Sequence, residues 1–153
     1  MPQECVIDTT ILQKANAPLT HQPRQRSLFV RRLALLNDIA RGTLTVLVSQ
    51  QLLNEYQRQV PAPRNDTIKA FFALIDDPVR AIHNWAPWPG GRREHARHCR
   101  YPSEDDHVLR TAIRPDPSTI FTEEKRMLKS DRCIYQYFRV HIHGLPQTDS
   151  SLP

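Results

Sequence analysis

The chain has no apolar run approaching the ~20 residues that span a bilayer, which excludes a helical membrane protein. Its first residues, Met-Pro-Gln-Glu-Cys, lack the basic segment and apolar stretch of a secretory leader, so cytoplasmic residence is the expectation. Cysteine is scarce: Cys5, Cys99 and Cys133 are an odd count with no paired spacing. That argues against a disulfide framework and reads as free thiols in a reducing compartment. Cys5 lies in an apolar strand and reads as core. No internal repeat and no low-complexity block occur. A zinc reading of His95-x-x-His98-Cys99 lacks a second ligand pair at a matching spacing. Ser49 has no base partner in the sequence and is explained as a helix N-cap.

What is present suits one compact domain of 153 residues, 39% of them hydrophobic. The net charge of +5 and the pI of about 9.4 favour meeting polyanions, because a basic field concentrates them and bound phosphates release counterions. Thirteen prolines gather in connections, as in Val60-Pro61-Ala62-Pro63.

Residues 4–8 read as a short buried strand ending on Asp8. A loop follows around Pro18 and Pro23. The 3.6-residue spacing of Leu28, Phe29, Leu33, Leu36, Ile39 and Ala40 predicts a helix over 26–41, stopped by Gly42. The β-branched run 43–48 predicts a second strand, after which Ser49 caps a helix to about Val60. A helix is expected at 66–76 and a short strand within 79–88. Residues 89–102 read as a basic loop. A helix from Ser103 to about Ile113 follows, then a strand at 118–122, a short helix at 123–129 and a last strand at 137–143. Beyond Gly144 the chain is polar, so 145–153 is expected to be a flexible tail. Alternating strands and helices imply a parallel sheet covered on both faces, an α/β fold. Sites in such sheets form at the carboxyl ends of strands, near a switch in strand order.

Acids collect at that edge. Asp8 ends the first strand, Glu55 lies in the helix after the second, Asp105 opens the helix near 103–113, and Glu123 and Glu124 follow Thr122. At about 100° per residue, Val108, Leu109, Ala112 and Ile113 face inward with Asp105 near the centre of their face. Asp106 falls at its flank and His107 points away. Ser103-x-x-Asp106 also resembles a capping box, which gives Asp106 a structural reading. Clustered carboxylates raise one another's pKa, and a divalent cation relieves that. Mg²⁺ or Mn²⁺ takes oxygen ligands, activates water and stabilises charge on a phosphate.

Four pieces in order carry a resemblance: Val6-Ile7-Asp8-Thr9-Thr10-Ile11-Leu12, Leu47-Val48-Ser49-Gln50-Gln51-Leu52-Leu53-Asn54-Glu55-Tyr56, Asp105-Asp106-His107-Val108-Leu109-Arg110-Thr111-Ala112 and Ile120-Phe121-Thr122-Glu123-Glu124-Lys125-Arg126-Met127-Leu128. Together they resemble the PIN-domain family, notably the toxin ribonucleases of bacterial toxin–antitoxin systems. The resemblance implies a three-layer α/β/α sandwich over residues 1–144, around a mainly parallel sheet of about five strands. It also implies metal-dependent cleavage of RNA phosphodiesters. Asp8, Glu55, Asp105 and Glu124 become the catalytic, metal-holding acids, with Thr9, Thr10, Ser49, Asp106 and Thr122 in support. Two positions depart from the family pattern: Glu124 stands where aspartate is usual and Thr10 where asparagine is usual. An antitoxin protein and a homodimer are further implied partners.

Arg92, Arg93, Arg97 and Arg100 precede Asp105 and are candidate RNA-backbone contacts. Trp85, Trp88 and Tyr101 are candidate stacking platforms for unpaired bases. Alternatives left open are a degenerate, non-cleaving PIN-like module that binds RNA or a partner protein, and a flap-type DNA nuclease. His141 and His143 alternate on the last strand, share one face and read as structural.

Overall fold

The structure, a computed structural model, describes residues 2–18, 21–88 and 91–147. Pro89 and Gly90 of the expected loop and 148–153 of the expected tail lie outside the described residues. The elements in chain order are β1 (Gln3–Ile7), α1 (Thr9–Ala15), α2 (Pro23–Ala40), β2 (Leu44–Val48), α3 (Gln50–Gln59), α4 (Asp66–Ile75) and β3 (Ala81–His83). They continue with α5 (Arg92–His98), a 3₁₀ turn (Ser103–Asp105), α6 (Asp106–Ala112), β4 (Ser118–Phe121), α7 (Lys125–Lys129), α8 (Asp131–Phe138) and β5 (Val140–His143).

The five strands form one sheet in the order β3-β2-β1-β4-β5, and every pairing is parallel. Parallel strands require crossover helices, and those helices cover both faces in a three-layer α/β/α sandwich. Cys5, Val6 and Ile7 are therefore all fully buried, as are Val46, Leu47 and Val48. The chain runs outward from β1 to β3 and then returns past β1 to β4 and β5. β1 and β4 are the central neighbours where this reversal occurs. Tyr56 fastens α3 beneath the strand ends. Its ring meets Phe71 of α4 edge-on at 5.9 Å, and its hydroxyl donates to the Ile7 carbonyl at 2.5 Å.

The strands and most helices fall where the hydrophobic pattern places them. Three helices do not. α1 occupies residues expected as loop: its Thr-Thr start is a weak helix former, and burial of Ile11, Leu12 and Ala15 stabilises it instead. α5 replaces the expected basic loop, held by the one buried side chain of Ala96 among polar neighbours. α8 claims Tyr137 and Phe138 from the expected last strand, and ends where Arg139 turns left-handed at φ 57°. The strand begins only after that turn, at Val140. Leu145 and Pro146, expected in the tail, accept hydrogen bonds from Arg31 through their carbonyls.

The expectation of three free thiols also fails. Cys99 and Cys133 form a disulfide, with Cα atoms 5.4 Å apart, across 34 residues of sequence. The pairing comes from α5 packing on α8, a tertiary contact no spacing rule reports. Cys5 remains a free, buried thiol, its pKa pushed up by burial to about 12. The reducing-compartment expectation loses the support that free thiols gave it. Among the described residues no helix is long and apolar enough to cross a membrane.

Closing a loop of that length removes denatured-chain entropy worth about 3–4 kcal/mol. Reduction, or Cys133→Ser, is expected to lower the melting temperature by roughly 6–16 °C in a domain of this size. Calorimetry with and without a reductant checks this; coincident melts would show that the bond contributes nothing.

Candidate active site

Asp8 follows β1 at the reversal of strand order, and its amide continues the ladder to the Phe121 carbonyl at 3.0 Å. Although it occupies the N-cap position of α1, its side chain does not cap that helix. Instead Asp8 Oδ2 accepts from the Thr122 hydroxyl at 2.6 Å and the Thr10 hydroxyl at 2.9 Å. Only 3% of Asp8 is exposed. Burial raises its pKa and the nearby Glu55 adds to the rise, while Thr122, Thr10 and the Thr9 amide oppose it; the net direction is upward. Thr10, one of the two departures from the family pattern, thus supplies a donor to the same carboxylate.

Thr9 serves a different acid. Its hydroxyl donates to Glu55 Oε1 at 2.5 Å, while Glu55 Oε2 pairs with His107 Nε2. Burial alone would raise Glu55, but His107, Thr9 and Arg58 outweigh it and hold the carboxyl below its usual range. His107, expected to point away from the inward face, is half-buried against Glu55. α3 lies beside α6, so the flank of α6 that turns from the sheet meets Glu55 rather than solvent. Burial would lower the His107 imidazole; Glu55, Asp105 and Asp8 reverse that and raise it.

Asp105 ends the 3₁₀ turn, half-buried, with its carbonyl accepting from the Tyr101 hydroxyl at 2.7 Å. Among the described residues no hydrogen bond reaches its carboxylate. Burial, then the charges of Asp8, Glu104 and Glu124, push its pKa up to about 7, against an opposing pull from His107. Glu124 caps α7: its two oxygens accept from the Arg126 and Met127 amides at 3.2 and 3.1 Å. Its own amide donates to Thr122 Oγ1 at 3.0 Å.

Other expected residues fall into place or out of it. Ser49 caps α3 through the Leu52 amide and shares a 2.7 Å hydrogen bond with Thr111. Asp106 forms no capping box; the chain enters α6 through a 3₁₀ turn, and Asp106 pairs with Arg97. Arg93, Arg97 and Arg100 are exposed and Arg92 half-buried. Arg100 also lines a cleft of about 460 Å³ with Cys99, Arg126, Lys129 and Ser130. The base-stacking expectation fails for Tyr101, which is 2% exposed. Trp88 packs edge-on against Phe138 at 6.0 Å. Trp85 stays exposed, with the Arg110 guanidinium over its ring, 3.9 Å from the centroid. The zinc reading of His95, His98 and Cys99 is excluded in this state, because Cys99 is disulfide-bonded and both imidazoles pack on Tyr137.

The four acids therefore divide. Glu55 and Glu124 have both oxygens engaged by internal partners and Asp8 accepts from Thr122 and Thr10 on Oδ2, whereas among the described residues Asp105 has no hydrogen bond on its carboxylate and lies within the field of Asp8. An all-oxygen donor set under mutual repulsion fits a hard divalent ion that keeps several waters and takes one or two carboxylates. Neither His107 nor Glu104 entered the sequence-based site. A helical wheel for one helix carries no information about the helix beside it. No family model matches the chain, and neither curated proteins nor solved structures give a match.

The shifts fix a pH dependence for the metal-free protein. A carboxyl raised on folding binds its proton more tightly in the native state, so Asp105 costs stability as pH climbs from its ordinary value of 3.8 through about 7. His107, also raised, contributes fully below its ordinary 6.5 and loses that contribution as pH rises through its folded value. Both act in one direction across neutrality. Chemical denaturation in EDTA from pH 5 to 8 is expected to show stability falling with pH, with a shallower fall in Asp105→Asn. An unchanged slope in that variant would contradict the assignment.

Proposed function

We propose that the chain is a divalent-metal-dependent endoribonuclease of the PIN type, with Asp8 and Asp105 as the acids that hold Mg²⁺ or Mn²⁺. The observation that carries this reading is the place of Asp8 at the carboxyl end of β1, where the strand order reverses and sheets of this kind bind ligands, with the half-buried Asp105 carboxylate within the field of its charge. The ion's chemistry is to lower the pKa of bound water and to stabilise charge on the phosphate. The chain's own groups do the rest. Thr122 and Thr10 hold Asp8 in one orientation. His107 balances Glu55, so that the local negative charge rests on Asp8 and Asp105. Arg92, Arg93 and Arg100, with Arg126 and Lys129 of the neighbouring cleft, offer cations to a phosphate backbone without reading bases. If the protein acts as a toxin, its antitoxin partner places a basic side chain among these acids. A homodimer belongs to the same proposal.

One observation favours a second reading. Glu55 and Glu124 are spent on His107 and on the α7 cap, which suits a non-cleaving module that binds RNA or a partner protein.

Labelled single-stranded RNA with Mn²⁺ or Mg²⁺ separates the two. Cleavage is expected, falling to the EDTA background in Asp8→Asn and in Asp105→Asn while both variants stay folded. RNA binding without cleavage selects the second reading, and cleavage surviving Asp8→Asn sinks both. Thr122→Val should keep the fold yet lose about 10–100-fold in metal affinity, as expected for a residue that orients a ligand. Unaltered metal affinity in that variant would remove Thr122 from the site.

A further inference from the structure

Among the described residues, one trio of side chains brings three potential ligand atoms within 4.8 Å of one another, and it is not the acid set: Asp131, His141 and His143. We propose that this trio is a separate metal site, for a borderline divalent ion of the zinc class, on the edge strand β5. It stands independently of the nuclease reading.

The three residues converge for structural reasons. His141 and His143 are two positions apart on one strand, so they project from the same face, with ring centroids 5.3 Å apart. Asp131 opens α8, the helix that packs against β5. Its Oδ1 accepts from the Ile142 amide at 2.7 Å, which fixes the carboxylate between the two histidines and leaves Oδ2 without a hydrogen-bond partner among the described residues. One helical turn after Asp131, Tyr135 stacks on His141 at 4.0 Å and 19°. Carboxylate and imidazole are each held by a contact that is present before any ion arrives.

The donor chemistry sets the class of ion. Two imidazoles and one carboxylate suit zinc, nickel or copper; magnesium and calcium prefer oxygen alone. Three protein ligands leave a fourth position of a tetrahedral ion open to water or to a partner's group. Asp131 and His141 are half-buried and His143 is exposed, so an ion reaches the trio from solvent. Thiolates do not compete: Cys99 and Cys133 are bonded to each other, and Cys5 is fully buried.

The test is calorimetric titration of the stripped full-length chain with Zn²⁺, alongside Co²⁺ as a visible-absorption probe of histidine ligation. One ion is expected to bind at the trio in the wild type and equally in Asp8→Asn, which removes only any weaker ion held by the acids after β1. Affinity should fall by roughly 10–100-fold or more in His143→Ala, with loss of the Co²⁺ ligand-field bands. His143 is exposed, so the variant keeps its fold, which a melt confirms. Asp131→Asn retains a carbonyl acceptor for the Ile142 amide while removing the charge, and should also weaken binding. His98→Ala should not. No Zn²⁺ binding, equal binding in His143→Ala, or binding lost in Asp8→Asn would each overturn the proposal, the last by moving the ion to the acids after β1.

Discussion

The hydroxyl of Thr122 connects the elements on which the candidate site depends. It donates to Asp8 Oδ2 and accepts from the Glu124 amide, so it joins the end of β1, the end of β4 and the start of α7. A carboxylate as buried as Asp8 is tolerated only when donors replace the water it has lost. The strand order meets that need by placing β4 beside β1 and carrying the chain past Asp8 immediately after Phe121. Tyr56 works from the other side. Its hydroxyl on the Ile7 carbonyl sets the depth of α3, and the preceding residue, Glu55, is thereby turned toward Thr9 and His107.

Charge compensation then decides which acids stay available. Glu124 faces the amides at the first turn of α7, where a helix end favours negative charge. Glu55 has an imidazole and a hydroxyl. Asp106 has Arg97. Asp105 has no such partner on its carboxylate and sits within the fields of Asp8, Glu104 and Glu124, which is why its pKa rises to about 7. Of these acids Asp105 alone is left with unmet electrostatic demand among the described residues.

The centre of the sheet was legible because β1, β2 and β4 carry β-branched residues and are buried toward their carboxyl ends, and no tertiary detail is needed to see them. Asp8 and Asp105 were legible for a related reason: an acid directly after a buried strand, or on the inward side of a first turn, violates the local pattern. The missed helices α1, α5 and α8 are each eight residues or fewer, too short for periodicity to emerge and stabilised by what they pack against. His107 and the Cys99–Cys133 bond were missed for the same reason at the level of side chains. Each joins two helices whose mutual placement follows from the strand order and not from their own sequences.

That disulfide also changes the character of the basic segment. Read as a loop, residues 89–102 suggested a flexible arm; in the structure α5 is clamped at several points. Cys99, just past its end, is bonded to Cys133 of α8, and His95 stacks on Tyr137 of the same helix at 4.2 Å. Arg97 reaches the other way to Asp106, the residue after Asp105. The positive charge of Arg92, Arg93 and Arg100 is thus carried on an element tied both to the β5 layer and to the acidic turn. A rigid cationic surface gives up less conformational entropy on meeting a polyanion than a mobile arm does. The same ties hold that surface at a fixed offset from Asp105.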